Sequence, residues 1–452
     1  MTTLRLTLLF IFTAALHGTL PAATWKAGTA KADITPKTPI WMAGYGGRTK
    51  PSEGTLHPLW AKALALEDAK GNRAIIIGTD TLGMTASIYA NLKVRLAKEH
   101  NLQPAQIMIN ASHTHTGPVL RGGLYDIYPL NAAHIKRIEE YSARLENEIV
   151  RITGEALKNL EPVTLKYGIG ISRFGVNRRE NKPYSAVPKL IAANALKGPI
   201  DHDVPVLAVY KGLELKAVVF GYACHSTTLG IQKFSGDYSG FTQIALEKSH
   251  PGALAIFSAG CGADINPLPR RVVHLAERYG NMLAAAVEET LLQKMETLKP
   301  KLTTRIKTIS LEYGALPAPA ALAAAAKNQT NYRGRWAGRM LKLQSTGNLP
   351  KTYPYPMQCW RVGNLTWLIM GGEVVIDFSI KFKKQFGART WVTSYANDVM
   401  AYIPSLRVLT EGGYEGQSSM AVYGLPTDRW KENVEDLVTE GAKAIVKEAR
   451  GK

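Results

Sequence analysis

Ile107-Met108-Ile109-Asn110-Ala111-Ser112-His113-Thr114-His115-Thr116-Gly117-Pro118 is the stretch on which the reading of this chain turns. Its apolar, β-branched start predicts a buried strand, and Gly-Pro stops it. Two imidazoles, two residues apart, sit at the carboxyl end. In extended backbone, side chains at i and i+2 share a face, so His113 and His115 are expected to converge. Neutral imidazole is the commonest metal ligand, and the carboxyl ends of strands form the binding clefts of α/β proteins. Two half-buried histidines bonded to nearby carbonyls are the bland alternative, and the spacing leaves both open.

Working outward, an amphipathic helix is expected at 86–99 before this strand, and a long one at 132–160 after it. Strands are expected at 61–67 and 73–78, forming a hairpin around Lys70-Gly71-Asn72. Further strands are expected at 163–168, 204–210, 215–222, 253–257, 305–313, 354–362, 365–370 and 390–395. Helices at 274–295 and 428–450 complete the pattern, and the Ala-rich segment 315–343 reads as helical, with 331–338 as an exposed excursion. No internal repeat or low-complexity linker divides the chain. The fold class expected is α/β (α+β), one large domain of mixed β-sheets sandwiched by helices, over residues 24–452.

Residues 1–23 read as a secretory signal: Arg5 supplies the positive start, Leu6–Ala15 the apolar run, and Pro21-Ala22-Ala23 the small residues for cleavage. The run is too short to span a bilayer, and no later segment is a membrane-helix candidate. A secreted or periplasmic protein is therefore expected. Three cysteines (Cys224, Cys261, Cys359) are too few for a disulfide scaffold and read as buried thiols, a Cys224–Cys261 pair being the alternative. The formal charge of +19 suits an acidic polymer or peripheral contact with an anionic membrane surface. No nucleic-acid partner is expected, because Lys and Arg are scattered and no binding signature appears. The loop Met42-Ala43-Gly44-Tyr45-Gly46-Gly47 lacks the strand–loop–helix context of a phosphate cradle.

Other strand ends also carry polar residues. The strand at 215–222 runs into Ala223-Cys224-His225, that at 365–370 into Gly371-Gly372-Glu373, and that at 390–395 toward Asn397-Asp398 and Tyr402. Histidines plus one carboxylate arriving from separate strands form a common ligand set for catalytic zinc with an open position. Each residue has a bland reading too, His225 as a packed histidine and Glu373 as a helix-start acid.

These landmarks resemble a known family. Ala32-Asp33-Ile34-Thr35, Met42-Ala43-Gly44-Tyr45, Ser112–Pro118, Asn177-Arg178, His225-Ser226-Thr227, Gly260–Pro267, Gly372-Glu373 and Tyr414-Glu415-Gly416 are similar, in kind and order, to the N-terminal catalytic domain of neutral/alkaline non-lysosomal ceramidases. The resemblance implies a Zn2+ held by His113, His225, Glu373 and Tyr402, with a neighbouring family tyrosine matched here by Val399. It leaves His115 as an acid/base group or carbonyl polariser, Arg178 as an active-site arginine and Tyr414 as a substrate contact. Two departures stand out. Asn266 occupies the place of an active-site serine and cannot act as a nucleophile, and the additional C-terminal β-domain of full-length ceramidases has no counterpart in these 452 residues. The activity implied is cleavage of an N-acyl amide, of ceramide or a related lipid. Hydrolysis of a different amide or ester is one alternative, and a secreted binding protein with a structural metal is another.

Overall fold

The computed structural model describes residues 24–451, so the signal-like segment lies outside the described residues. Its largest element is a nine-stranded sheet. In spatial order the strands are Ile107–Ala111, Arg73–Thr79, Trp60–Glu67, Trp25–Asp33, Glu161–Ile171, Asp203–Lys211, Glu214–Tyr222 and Leu254–Ala259, with Glu296–Thr297 added beside Glu161–Ile171. The outermost pair at each edge is parallel and the interior pairs are antiparallel. A second sheet contains Leu302–Glu312, Thr352–Val362, Leu365–Met370 and Trp391–Thr393, and it too mixes both directions.

Period-two alternation explains the layering. In the first sheet Leu64, Leu66, Ile76 and Met108 face inward, onto Trp360, Trp367, Ile369 and Trp391 of the second. Their neighbours Ala63, Ala65, Ile75, Ile77 and Ile109 face outward, under the helices Ala86–His100 and Ala132–Lys158. The other half of that outer face is covered by Asp237–Ser249 and Val273–Leu292. The outer face of the second sheet is covered by Ile376–Phe386 and Val434–Ala449. The result is helix, sheet, sheet, helix, as the apolar runs require when both faces of a sheet are buried. No described helix is long and apolar enough to cross a membrane. All three cysteines are buried free thiols.

The two edges of the large sheet meet through one buried side chain. Asn110 Oδ1 accepts from the Ala259 backbone N–H at 2.9 Å, and its Nδ2 donates to Ser394 O at 2.6 Å. Three strand ends are thereby tied to one point, which is where the histidine-bearing loops emerge. Lys62, buried in the second strand, is held by Glu247 of an outer helix at 2.6 Å and by Ala255 O at 2.9 Å. Glu247→Ala leaves that ammonium without its counter-charge. The expected loss lies toward the low end of roughly 3–5 kcal/mol, since Glu247 keeps some solvent. The midpoint of chemical denaturation reads it.

Two expectations need correction. The segment 331–338 is no exposed excursion: Pro319–Ala326 and Tyr332–Ser345 pack on each other and bury Leu322, Trp336, Ala337 and Met340. The terminal helix starts at Val434 rather than 428. The helices Asp237–Ser249 and Ile376–Phe386 are absent from the sequence reading.

Candidate metal centre

His113 lies beyond its strand, not in it. The strand ends at Ala111, and His113 adopts φ 58° in the left-handed region. The two imidazoles still converge, with Nε2 atoms 3.1 Å apart, because a turn brings them together rather than a shared strand face. The glycine loop lies against this turn through Ala43 N–H to Gly117 O, 2.9 Å. Gly44 has φ +106°, and a Cβ there would lie 2.4 Å from His115 Cγ, so only glycine lets the loop pass so close.

His225 arrives three residues after Glu214–Tyr222 and is pinned by its N–H to Ile265 O at 3.0 Å. Glu373 and Tyr402 are neighbours in a short parallel pairing of Glu373–Val374 with Tyr402–Ile403. Partners in such a pair point to the same face, which accounts for the two arriving together. Gly372 makes the preceding bend at φ +70°, where a Cβ would stand 2.8 Å from Ala401 O.

Four buried side chains therefore meet. Glu373 Oε2 lies 3.1 Å from His113 Nε2 and 3.0 Å from His225 Nε2, and the Tyr402 hydroxyl lies 3.3 Å from His225 Nε2. The donor set fits a cation. His113 Nδ1 donates to Leu82 O at 2.7 Å and His225 Nδ1 to Gly262 O at 2.6 Å. A carbonyl only accepts, so each Nδ1 carries the proton and each neutral ring turns a lone pair on Nε2 inward. Two nitrogen lone pairs and a carboxylate oxygen with no hydrogen-bond partner face one another without a proton between them. A positive ion resolves that arrangement, and carbonyl partners on the outer nitrogens are the usual support of metal-bound histidine. Histidine nitrogen with carboxylate oxygen is a donor set that several divalent transition metals take.

Electrostatics agree. Burial, reinforced by Arg178, pushes the His225 imidazole down to about 4. Burial and the neighbouring His113 and His225 hold His115 well below its ordinary value. One ring nitrogen from each of His113, His115 and His225 lies within 4.8 Å of the others, so His115 is within reach of the same ion.

Arg178 follows the short strand Gly175–Asn177, paired antiparallel with Ile265–Pro267, and this pairing brings it to Asn266. Its Nη2 donates to the Tyr402 hydroxyl at 3.1 Å, its Nη1 to Asn266 Oδ1 at 3.3 Å, and its Nε to Glu415 at 2.7 Å. Burial lowers the guanidinium's pKa, but Tyr402 and Glu415 more than compensate and keep it charged. Tyr414 is 42% exposed, its ring 5.4 Å from that of Tyr402, at the rim. Val399 is not in the ligand group but lines a cavity of about 140 Å³ of mixed character with Leu82, Val119, Met400, Tyr353 and Asp398.

Sequence reasoning missed three participants. Tyr423 hydrogen-bonds Glu373 Oε1, Tyr395 lays its ring 4.4 Å from that of His113, and Glu415 clamps Arg178 and Arg179. Glu415 stood in a quoted motif without a role. The two tyrosines have no local signal, because folding alone brings them to the site.

Residues 25–264 match the family model of neutral/alkaline non-lysosomal ceramidase, N-terminal. A neutral ceramidase of Pseudomonas aeruginosa is 27% identical over 212 residues, 45% of this chain and 30% of that protein. A neutral ceramidase of Drosophila melanogaster is 32% identical over 115 residues, 24% of this chain and 16% of the fly protein. The chain thus matches well under two thirds of either relative's length. The crystal structure of neutral ceramidase from Pseudomonas aeruginosa superposes with a TM-score of 0.72 at 20% identity, covering 95% of this chain and 75% of that one. A ceramidase complexed with C2 gives 0.69 at 19% identity, covering 94% and 76%. Both show the same fold. On the match over residues 25–264, which include His113, His115, Arg178 and His225, the chain belongs to the neutral/alkaline non-lysosomal ceramidase family.

Proposed function

We propose that this chain is an exported, zinc-dependent amidohydrolase that cleaves the amide of ceramide or a related N-acyl lipid. The inward-facing lone pairs of His113, His225 and Glu373, with both outer nitrogens bonded to carbonyls, carry this reading. Tyr402 is the fourth ligand in the proposal. Zinc bound there supplies Lewis acidity toward a carbonyl and lowers the pKa of water to about 7.

The chain's own groups do the rest. His115 Nε2 faces the centre and takes the proton of the attacking water, then returns it to the departing amine nitrogen. Arg178, held by Glu415, turns two N–H donors toward the centre and stabilises the oxygen as it gains charge. Tyr414 contacts the substrate at the rim. Asn266 bonds Arg178 through Oδ1 and takes no covalent part.

Family membership and the names of the relatives support an amide substrate. The test is metal analysis of the purified chain with turnover of an N-acyl amide and ester panel, fluorescent ceramide included. About one zinc per chain is expected, with turnover stopped by chelation and restored by zinc. Undiminished hydrolysis after the metal is stripped would refute the reading. An ester-only profile would move it to the alternative of a zinc hydrolase acting on a different bond.

A further inference from the structure

Three arginines lie near the metal centre, two of them against the ring of one tyrosine, and among the described residues none has a carboxylate partner. Tyr45, delivered by the glycine loop, lays its ring 4.8 Å from that of His115. The Arg271 guanidinium lies 4.4 Å from the Tyr45 ring centroid and that of Arg48 lies 5.5 Å away. Arg270 lies just past the short strand that carries Asn266, its Nη1 3.5 Å from Thr227 O. The Thr227 hydroxyl in turn donates to Asn266 Oδ1, the atom Arg178 also reaches.

Arg48 is 7% exposed, and its donors go to Ile231 O, Gln232 Oε1 and His115 O, while its Nε is buried without a partner. Among the described residues, Arg48, Arg270 and Arg271 form no salt bridge, whereas the adjacent Arg178 and Arg179 are clamped by Glu415 and Glu411. The nearby acids are already engaged. Asp237 accepts from the backbone N–H groups of Thr228, Leu229 and Tyr238, and Glu373 serves the metal centre. Arg48 is buried, Arg270 half-buried and Arg271 exposed, so the three bring positive charge that no carboxylate neutralises to the side of the centre where Tyr45 packs on His115.

The structure assigns to this site, on our reading, a substrate class: N-acyl amides with an anionic group close to the scissile bond on the amine side. Carboxylate, sulfonate and phosphate all match guanidinium geometry. On this reading the acyl chain takes the cavity beside Leu82, Val119 and Leu120, and the charged end takes the arginines. The assignment rests on the hydrolase proposal.

Two non-cleavable analogues separate the two ideas. Octanesulfonyl-glycine and octanesulfonyl-ethanolamine differ only in the terminal charge, and calorimetry measures their binding to the zinc-loaded chain. The glycine analogue is expected to bind about tenfold tighter, the scale of a charge-assisted hydrogen-bonded pair. Added salt should narrow the gap. Arg270→Gln/Arg271→Gln should abolish it, and the corresponding double lysine variant, which keeps the charge, should retain most of it and so controls for folding.

Equal binding of the two analogues overturns the assignment, whatever the enzyme hydrolyses. So does a gap that survives the double glutamine change, or a double change that abolishes only binding to phosphatidylglycerol vesicles. A clear gap in a protein that cleaves no amide instead overturns the hydrolase reading and leaves an anion site standing.

Discussion

Replacing His113 with alanine is expected to empty the metal centre and reduce turnover to background. His113 Nε2 is one of two imidazole nitrogens facing Glu373 Oε2, so its loss leaves one imidazole and one carboxylate in the buried group, with Tyr402 at its edge. Disturbing only the outer partner of a metal-bound histidine typically costs about 10–100-fold in affinity. Removing the ligand itself exceeds that. It also leaves Leu82 O without its donor and opens a space beneath the Tyr395 ring. Mass-spectrometric metal analysis after gel filtration, on protein whose circular dichroism matches the parent, reads occupancy apart from folding. Full zinc occupancy in His113→Ala would show that the ligands are misassigned.

The sequence exposed the centre better than the backbone that builds it. Convergence of His113 and His115 was expected from strand pleat, yet His113 stands in the left-handed region past the strand end. Period-two reasoning pointed to the right atoms because the residues are close in sequence, and any tight turn of that length brings them near. Glu373 was legible from the two glycines that bend the chain ahead of it. Tyr402 was not legible from ligand chemistry, since its place depends on a two-residue parallel pairing across a long excursion, and only the family resemblance pointed to it. The strands were read well wherever both faces are buried, because apolar runs leave little else to form. The helix Asp237–Ser249 escaped because it buries small and polar residues (Ser239, Gly240, Thr242) against its neighbour and shows no apolar stripe. Trp336 lies buried within a stretch rich in Arg and Gly, where local composition spoke for solvent.

Replacing His115 with alanine decides between two geometries that the folded chain permits. His115 Nε2 is 3.1 Å from His113 Nε2, so a three-histidine site is sterically open, as is one that leaves His115 free. The ligand chemistry favours the second. His113 and His225 each have Nδ1 fixed by a carbonyl, the support that metal-bound imidazoles usually have, whereas His115 Nδ1 is buried with no partner. Its ring is held instead by packing against Tyr45 and by the close passage of Gly44. A ring placed by packing at the rim of the centre suits a group that exchanges a proton, so His115→Ala is expected to keep its zinc and lose about 10²–10⁴ in kcat. KM should change far less, because the ring is assigned to proton transfer and not to substrate binding. Zinc lost to the same extent as in His113→Ala would make His115 a ligand, and Tyr402 would then be left with Arg178 as a hydrogen-bonding partner only. Zinc retained with kcat undiminished would remove the proposed proton carrier and require another group at the centre to take its place.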